Sequence, residues 1–279
     1  MNSQSEFYPT ANVIADSVNS TTGDRVTTMI VEMHRFILPE FNTYRQFSRN
    51  FSSSRAIPIN KMIDNVVTNN VYPLHFGKNK KGMQASEEVT DINEAKRFWD
   101  LARQDAIFQA KRLSDLGVHK QVTNRLLEPF SVATGIVSST DWNNFFKQRC
   151  HPDAQPEIKA LADAMFLAIS ESKAKTINPG DWHIPFISYD TPCFDGLESN
   201  REAVLKVSVG RCARVSYLNH NGTSNILDDQ SLHDKLILAE PPHLSPFEHQ
   251  AKASEIKGKF ANFNGWKQYR TQLEESKYT

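Results

Sequence analysis

Three short stretches of this chain concentrate side chains able to hold an anion or polarise a ring. The first, Tyr44-Arg45-Gln46-Phe47-Ser48-Arg49-Asn50-Phe51-Ser52-Ser53-Ser54-Arg55, carries three arginines and four serines. Guanidinium forks match phosphate oxygens in pairs, and hydroxyls and backbone N–H groups complete such a shell. Taken alone, the stretch fits a solvated Ser/Arg loop equally well. The second, Arg149-Cys150-His151-Pro152-Asp153-Ala154-Gln155-Pro156-Glu157-Ile158, sets an arginine at one helix end, then a short loop and a new helix. The free N–H groups of that new helix suit an anion, although a plain helix–helix corner has the same polar ends. The third is His243-Leu244-Ser245-Pro246-Phe247-Glu248-His249, with Ser245 as a helix cap and Pro246 in the first turn. Its His243 stands five residues before Glu248 and six before His249, so the three do not share a helical face. Ordinary surface or half-buried histidines fit that spacing better than a metal centre does. A fourth stretch, Arg211-Cys212-Ala213-Arg214-Val215-Ser216-Tyr217, says little by itself.

The elements that must carry these stretches follow from periodicity. A short apolar run, Val13-Ile14-Ala15, precedes a turn cluster at 19–24. Residues 26–36 are β-branched and apolar and predict a strand. Residues 43–57 predict a Ser/Arg-rich loop, and 77–82 an exposed one. Asp91 followed by Glu94 predicts a helix start; Ala95, Phe98, Ala102, Ala106, Ala110 and Leu113 continue the helical period, and Gly117 stops it. Further helices are expected over 119–127, from the caps at Ser138–Asp141 through Arg149, and over 155–172. Residues 179–189 predict an aromatic loop, and helices return at 200–213, 229–239 and 246–256. Phe263, Trp266 and Tyr269 punctuate a polar tail and read most simply as packing aromatics.

Composition bounds the rest. At 279 residues and 39% hydrophobic, the chain can build a sizeable core. Lys+Arg and Asp+Glu both number 32, which gives no basic excess for binding nucleic acid. There is no run of about 18 apolar residues, so no membrane span is expected. The polar stretch Met1–Thr10 lacks a secretory core. Cys150, Cys193 and Cys212 have neither metal nor disulfide spacing, and a reduced, cytoplasmic protein is expected.

Set side by side, the four stretches resemble the flavin-dependent thymidylate synthases. The family signature R-H-R-x-x-S-x-N-E-x-S-x-R matches here at Arg45, Ser48, Asn50, Ser53 and Arg55, five of its eight fixed positions. It departs at Thr43 and Tyr44, where the family has Arg-His, and at Phe51, where it has Glu. Arg149–Ile158 matches R-x4-A-Q-x-E-I, His243–His249 matches H-x-[ST]-P-F-E-H, and Ala213–Tyr217 matches A-R-x-S-[YF]. The last two stretches precede the arginine signature in the family and follow it here, as in a circular permutation, so residues 211–250 should pack beside 26–55.

The resemblance implies an α+β fold, an antiparallel sheet with flanking helices in permuted order. It implies a single catalytic domain over 1–279, with 57–117 and 172–205 as possible insertions. It implies reductive methylation of dUMP to dTMP with FAD, NADPH and 5,10-methylenetetrahydrofolate, in a homotetramer with shared sites. Arg149 would activate the uracil; Ser53, Ser54, Arg55 and Glu40 would hold dUMP, with Arg125 on its phosphate. Arg45, Tyr44, Asn50, Asn144, His243, Ser245 and Glu248 would contact FAD. Hydroxymethylation of dUMP or a related pyrimidine nucleotide is the alternative that Tyr44 and Phe51 keep open. A cysteine-using synthase would need Cys150 or Cys193 as its nucleophile, and a decayed flavin-binding homologue would have lost turnover.

Overall fold

A computed structural model of the chain describes residues 5–82, 85–187, 200–216 and 225–278. The first two strands, β1 (Thr10–Asn19) and β2 (Arg25–His34), form a hairpin whose turn the Asn19 side chain closes by accepting from the Thr21 and Thr22 N–H groups. Gly23 sits in that turn at φ +75°, where a side chain would be strained. A short helix α1 (Leu38–Phe41) leads to β3 (Ser48–Phe51), a strand inside the stretch expected as loop.

Next come α2 (Ile59–Asn69) and α3 (Ile92–Asp115). The second starts as expected: the Asp91 carboxylate accepts from the Glu94 N–H, and Gly117 at φ +80° ends the run. The helix expected over 119–127 is instead α4 (Lys120–Thr123) and a 3-10 segment, Asn124–Phe130. Together α2, α3 and that segment bury Met62, Val66, Ala110 and Leu127 in one cluster.

Strand β4 (Val132–Ser139) was not anticipated, and it carries Ser138 and Ser139, expected as helix caps. Helix α5 (Asn143–Arg149) begins after it, and α6 (Pro156–Glu171) is capped by Gln155. The remaining elements are β5 (Lys175–Ile177), β6 (Trp182–His183), α7 (Arg201–Ser216), α8 (Ile226–Leu238), β7 (Ala251–Ala253), β8 (Lys259–Phe260), β9 (Phe263–Asn264), β10 (Trp266–Gln268) and α9 (Tyr269–Tyr278). The helix expected over 246–256 is a 3-10 turn, Ser245–Glu248, followed by β7.

Among the described residues the largest sheet runs β3-β4-β2-β1-β5, antiparallel except where β5 lies parallel to β1. Period-two alternation gives each face its own cover. From β2, Met29, Val31 and Met33 pack with Phe145, Leu161 and Met165 of α5 and α6. Val26 joins Ala251, Phe263 and Trp266, which belong to the late strands. The chain after 200 thus packs onto the same sheet as residues 26–55, the juxtaposition that the rearranged order requires. No described helix is long and apolar enough to cross a membrane.

Candidate active site

The site is built where β3 ends. Ser48 is buried and accepts hydrogen bonds from Gln268 (2.7 Å) and Asn262 (3.0 Å), which fasten the late chain to this strand. Two residues on, the Asn50 Nδ2 donates to the Cys212 carbonyl of α7 (3.2 Å), and its Oδ1 accepts from Ser245 Oγ (3.4 Å). Asn50 therefore ties together three stretches that are far apart in sequence. Phe51 packs its ring against Gly135 of β4, where an added Cβ would overlap it, and edge-on against Phe41.

The chain then alternates. Ser52 and Ser54 turn into the protein: Ser52 meets the Arg35 guanidinium, and Ser54 Oγ donates to Glu128 (2.5 Å). Asn124 Nδ2 donates to the carbonyls of Ser54 and Ile57, and Lys120 to that of Ala56. Ser53 and Arg55 face the other way, into a cavity of about 440 Å³. Asn50, Phe51, Ala56, Gln121, Ala213, Ser216, Leu236, His243, Ser245 and Pro246 complete its wall. That volume lies in the range of small-molecule sites. The wall offers a guanidinium, hydroxyls, amides and an imidazole around apolar patches, a set suited to a base bearing an anionic group.

Of the residues expected at a site, Asn50, Ser53, Arg55, His243 and Ser245 share this cavity. Ser54 does not: it is buried beneath the loop. Arg125 is exposed and paired with Glu128 (2.8 Å), at the edge of the same framework. Glu248 is held by Arg270 (2.5 Å) and His249 is buried, so neither joins His243 at the cavity. Arg45, Glu40 and Asn144 are exposed and do not line the cavity. Tyr217 and Cys193 lie outside the described residues.

Arg149 also stands outside the cavity. Its Nε donates to the Tyr44 hydroxyl (2.6 Å), and its guanidinium lies 5.5 Å from the Tyr44 ring centre. Tyr44 is itself a core residue, stacked on Phe47 and edge-on to Phe145, and its hydroxyl also donates to Gln148. The Tyr44 hydroxyl thereby holds the Arg149 side chain in place.

Neither described cysteine is poised as a nucleophile. Burial, with Asp163 nearby, pushes the Cys150 thiol up to about 11, and burial raises Cys212 further still.

Sequence reasoning passed over Arg35, Gln121 and a buried polar chain on the sheet. In that chain Ser17 Oγ meets His183 Nδ1 (2.8 Å), His183 Nε2 meets Thr28 Oγ1 (2.8 Å), Thr28 meets Ser138 (2.6 Å), and Ser138 meets His249 Nδ1 (2.9 Å). Burial drives His183 down to about 4 and His249 to about 3, so both rings are neutral at pH 7. Only the period of the strands, known once the sheet is drawn, groups these residues.

The family model described as Thymidylate synthase complementing protein matches residues 12–172. No curated protein matches the sequence. Among solved structures, the UMP/dUMP methylase PolB from Streptomyces cacaoi bound with 5-Br UMP is similar at a TM-score of 0.50 and 15% identity, over 60% of this chain and 92% of that one. Its complex with 5-Br dUMP gives 0.48 and 15%, over 60% and 91%. At that identity the first likeness concerns the fold alone, the α+β arrangement of an antiparallel sheet with helices against it. With more than half of its length matched, the chain belongs to the thymidylate synthase complementing protein family.

Proposed function

We propose that this chain is a flavin-dependent one-carbon transferase acting on the uracil ring of dUMP, with methylation to dTMP as the reaction. The observation that carries the proposal is the cavity at the end of β3, where the arginine–serine stretch, the α7 stretch and the Ser245–Pro246 turn meet through Asn50. Membership of the family and a similar fold in a UMP/dUMP methylase support the substrate class.

In this reading Arg55 and Ser53 hold the nucleotide phosphate, with Gln121, next to the Lys120 that bonds the Ala56 carbonyl, beside them. Phe51 gives the base an apolar floor where the family has a carboxylate. The donor set Asn50, His243 and Ser245 fits the polar edge of a flavin, so these three would hold FAD beside the base. Bound flavin, reduced by NADPH, supplies the hydride that completes transfer of the one-carbon unit from methylenetetrahydrofolate. Arg149, Arg45 and Asn144 stand away from the cavity of their own chain, and a homotetramer lets a neighbouring copy present them. There the Arg149 guanidinium polarises the uracil carbonyl and stabilises negative charge on it.

Phe51 also favours a second reading, hydroxymethylation, because an apolar floor in place of a carboxylate changes how the adduct meets hydride or water. One experiment separates the two. The protein is incubated with dUMP, FAD, NADPH and methylenetetrahydrofolate, and the nucleotide product is weighed by mass spectrometry. A methylated product supports thymidylate synthesis, a hydroxymethylated one the second reading, and unchanged dUMP with all components present counts against both.

A further inference from the structure

Arg35 opens a short 3-10 turn after β2, yet its side chain runs inward and is only 6% exposed. Nε donates to Ser131 Oγ (3.1 Å), Nη1 to the Ser52 carbonyl (3.0 Å), and Nη2 to Ser52 Oγ (3.2 Å) and the Val132 carbonyl (3.3 Å). All four acceptors are neutral oxygens. A guanidinium taken out of water without an ion pair is costly, and four of its five N–H donors are used here. Burial lowers its pKa to about 10, with the Glu128 charge opposing that shift; Arg35 stays charged at neutral pH.

The bonds of Arg35 converge on one place. It grips Ser52 by both backbone carbonyl and hydroxyl, and Glu128 grips Ser54 two residues on. Ser52 and Ser54 are both buried, and Ser53 and Arg55, in the turn that the Ala56 N–H closes onto the Ser53 carbonyl, line the cavity. Glu128 is already engaged by Arg125, so the loop is underlain by a cation that no carboxylate among the described residues pairs with directly. A fixed positive charge behind a cleft raises its attraction for anions.

We propose that Arg35 is a positioning residue for the phosphate of a mononucleotide. It clamps Ser52 from behind, so that Ser53 and Arg55 are set toward the cavity, and it gives the loop its net positive charge. The inference rests on the functional reading above and adds a residue that touches no ligand.

The test compares dUMP with deoxyuridine, which lacks the phosphate, binding to the wild-type chain and to Arg35→Lys and Ser52→Ala, by calorimetry alongside thermal melts. Arg35→Lys keeps a charge and loses the fork. Its dUMP affinity is expected to fall about tenfold or more, the scale of lost hydrogen bonds to a charged group, with deoxyuridine affinity unchanged. Ser52→Ala removes one acceptor and should give a smaller loss in the same ratio. Equal weakening of both ligands, or of neither, overturns the inference and leaves Arg35 a purely structural residue. Should Arg35→Lys fail to fold, the ratio in Ser52→Ala decides alone. A wild-type chain that does not prefer dUMP to deoxyuridine overturns the functional reading, and this inference with it.

Discussion

Tyr44 and Arg149 act as a pair whose parts the motif had separated. The motif assigned the first to flavin and the second to the uracil, yet the tyrosine is buried among Phe47 and Phe145 and its hydroxyl accepts from the arginine. Tyr44→Phe keeps the ring packing and removes that acceptor. Turnover in the product-mass assay should fall about tenfold, the scale of a lost charge-assisted bond, while the melting temperature barely moves. A loss of stability with unchanged turnover would make Tyr44 a core residue and nothing more. The buried histidines predict a pH effect of definite sign. His183 and His249 have folded values near 4 and 3, below the usual 6.5 of the unfolded chain. The unfolded state therefore binds more protons below pH 6.5, so the stability they confer is full above that value and is lost as pH falls toward 4. The melting temperature should drop steeply across that window. His249→Gln, which cannot titrate, should melt lower at pH 7 and show a shallower slope. Asn50, Ser53, Arg55, His243 and Ser245 were legible because residue type and spacing mark them. Ser54 was misplaced beside Ser53, since identical side chains differ only in the face they take, and Arg35 belongs to no motif at all.

Among the elements, the regular helices were readable and the strands of the site were not. Helix α3 carries its own start and stop signals in Asp91 and Gly117. Asp91→Ala removes the cap and should cost about 1 kcal/mol in denaturant unfolding, typical of a lost N-cap. Strand β4 gave a weaker local signal: it holds Gly135 and ends in Ser138-Ser139, residues that also suit helix caps. Its place between β2 and β3 decides its conformation, and that pairing is not local. The same holds for the Ser245–Glu248 turn, which β7 continues because it pairs with β6 and β10. Gly135 pairs with Phe51 of β3, whose ring occupies the space of its missing side chain. Gly135→Ala should therefore destabilise the chain by about 1–3 kcal/mol through overpacking. In the double variant with Phe51→Ala the two costs should fail to add, because the overlap is gone. Additive losses would show that the ring and the glycine do not constrain each other.

At the level of the whole molecule, the late chain covers the five-stranded sheet that residues 10–177 form. Its attachments are buried and spread along the sheet. Asn19 Nδ2 donates to the carbonyls of Ser254 and Gly265, Trp266 Nε1 to that of Asp24, Gln268 Nε2 to Ser48, and His249 meets Ser138. Val26 buries against Phe263 and Trp266, and β6 pairs with β7. The hydrogen bonds among them link segments more than 100 residues apart, so they do not depend on the order in which the chain connects them. A rearranged order of blocks can then preserve the site, since geometry is set by the interface between the two parts rather than by the peptide between them. The consequence can be tested by cutting the chain. Residues 1–187 and 200–279, expressed together as separate polypeptides, should copurify as a one-to-one complex that binds dUMP. Residues 1–187 alone should aggregate, because Val26 loses its apolar cover and Ser48 and Ser138 lose their buried hydrogen-bond partners. Separate elution of two soluble, folded fragments would mean that each has a self-sufficient core, and the cavity at β3 would then lie between independent domains instead of within one fold.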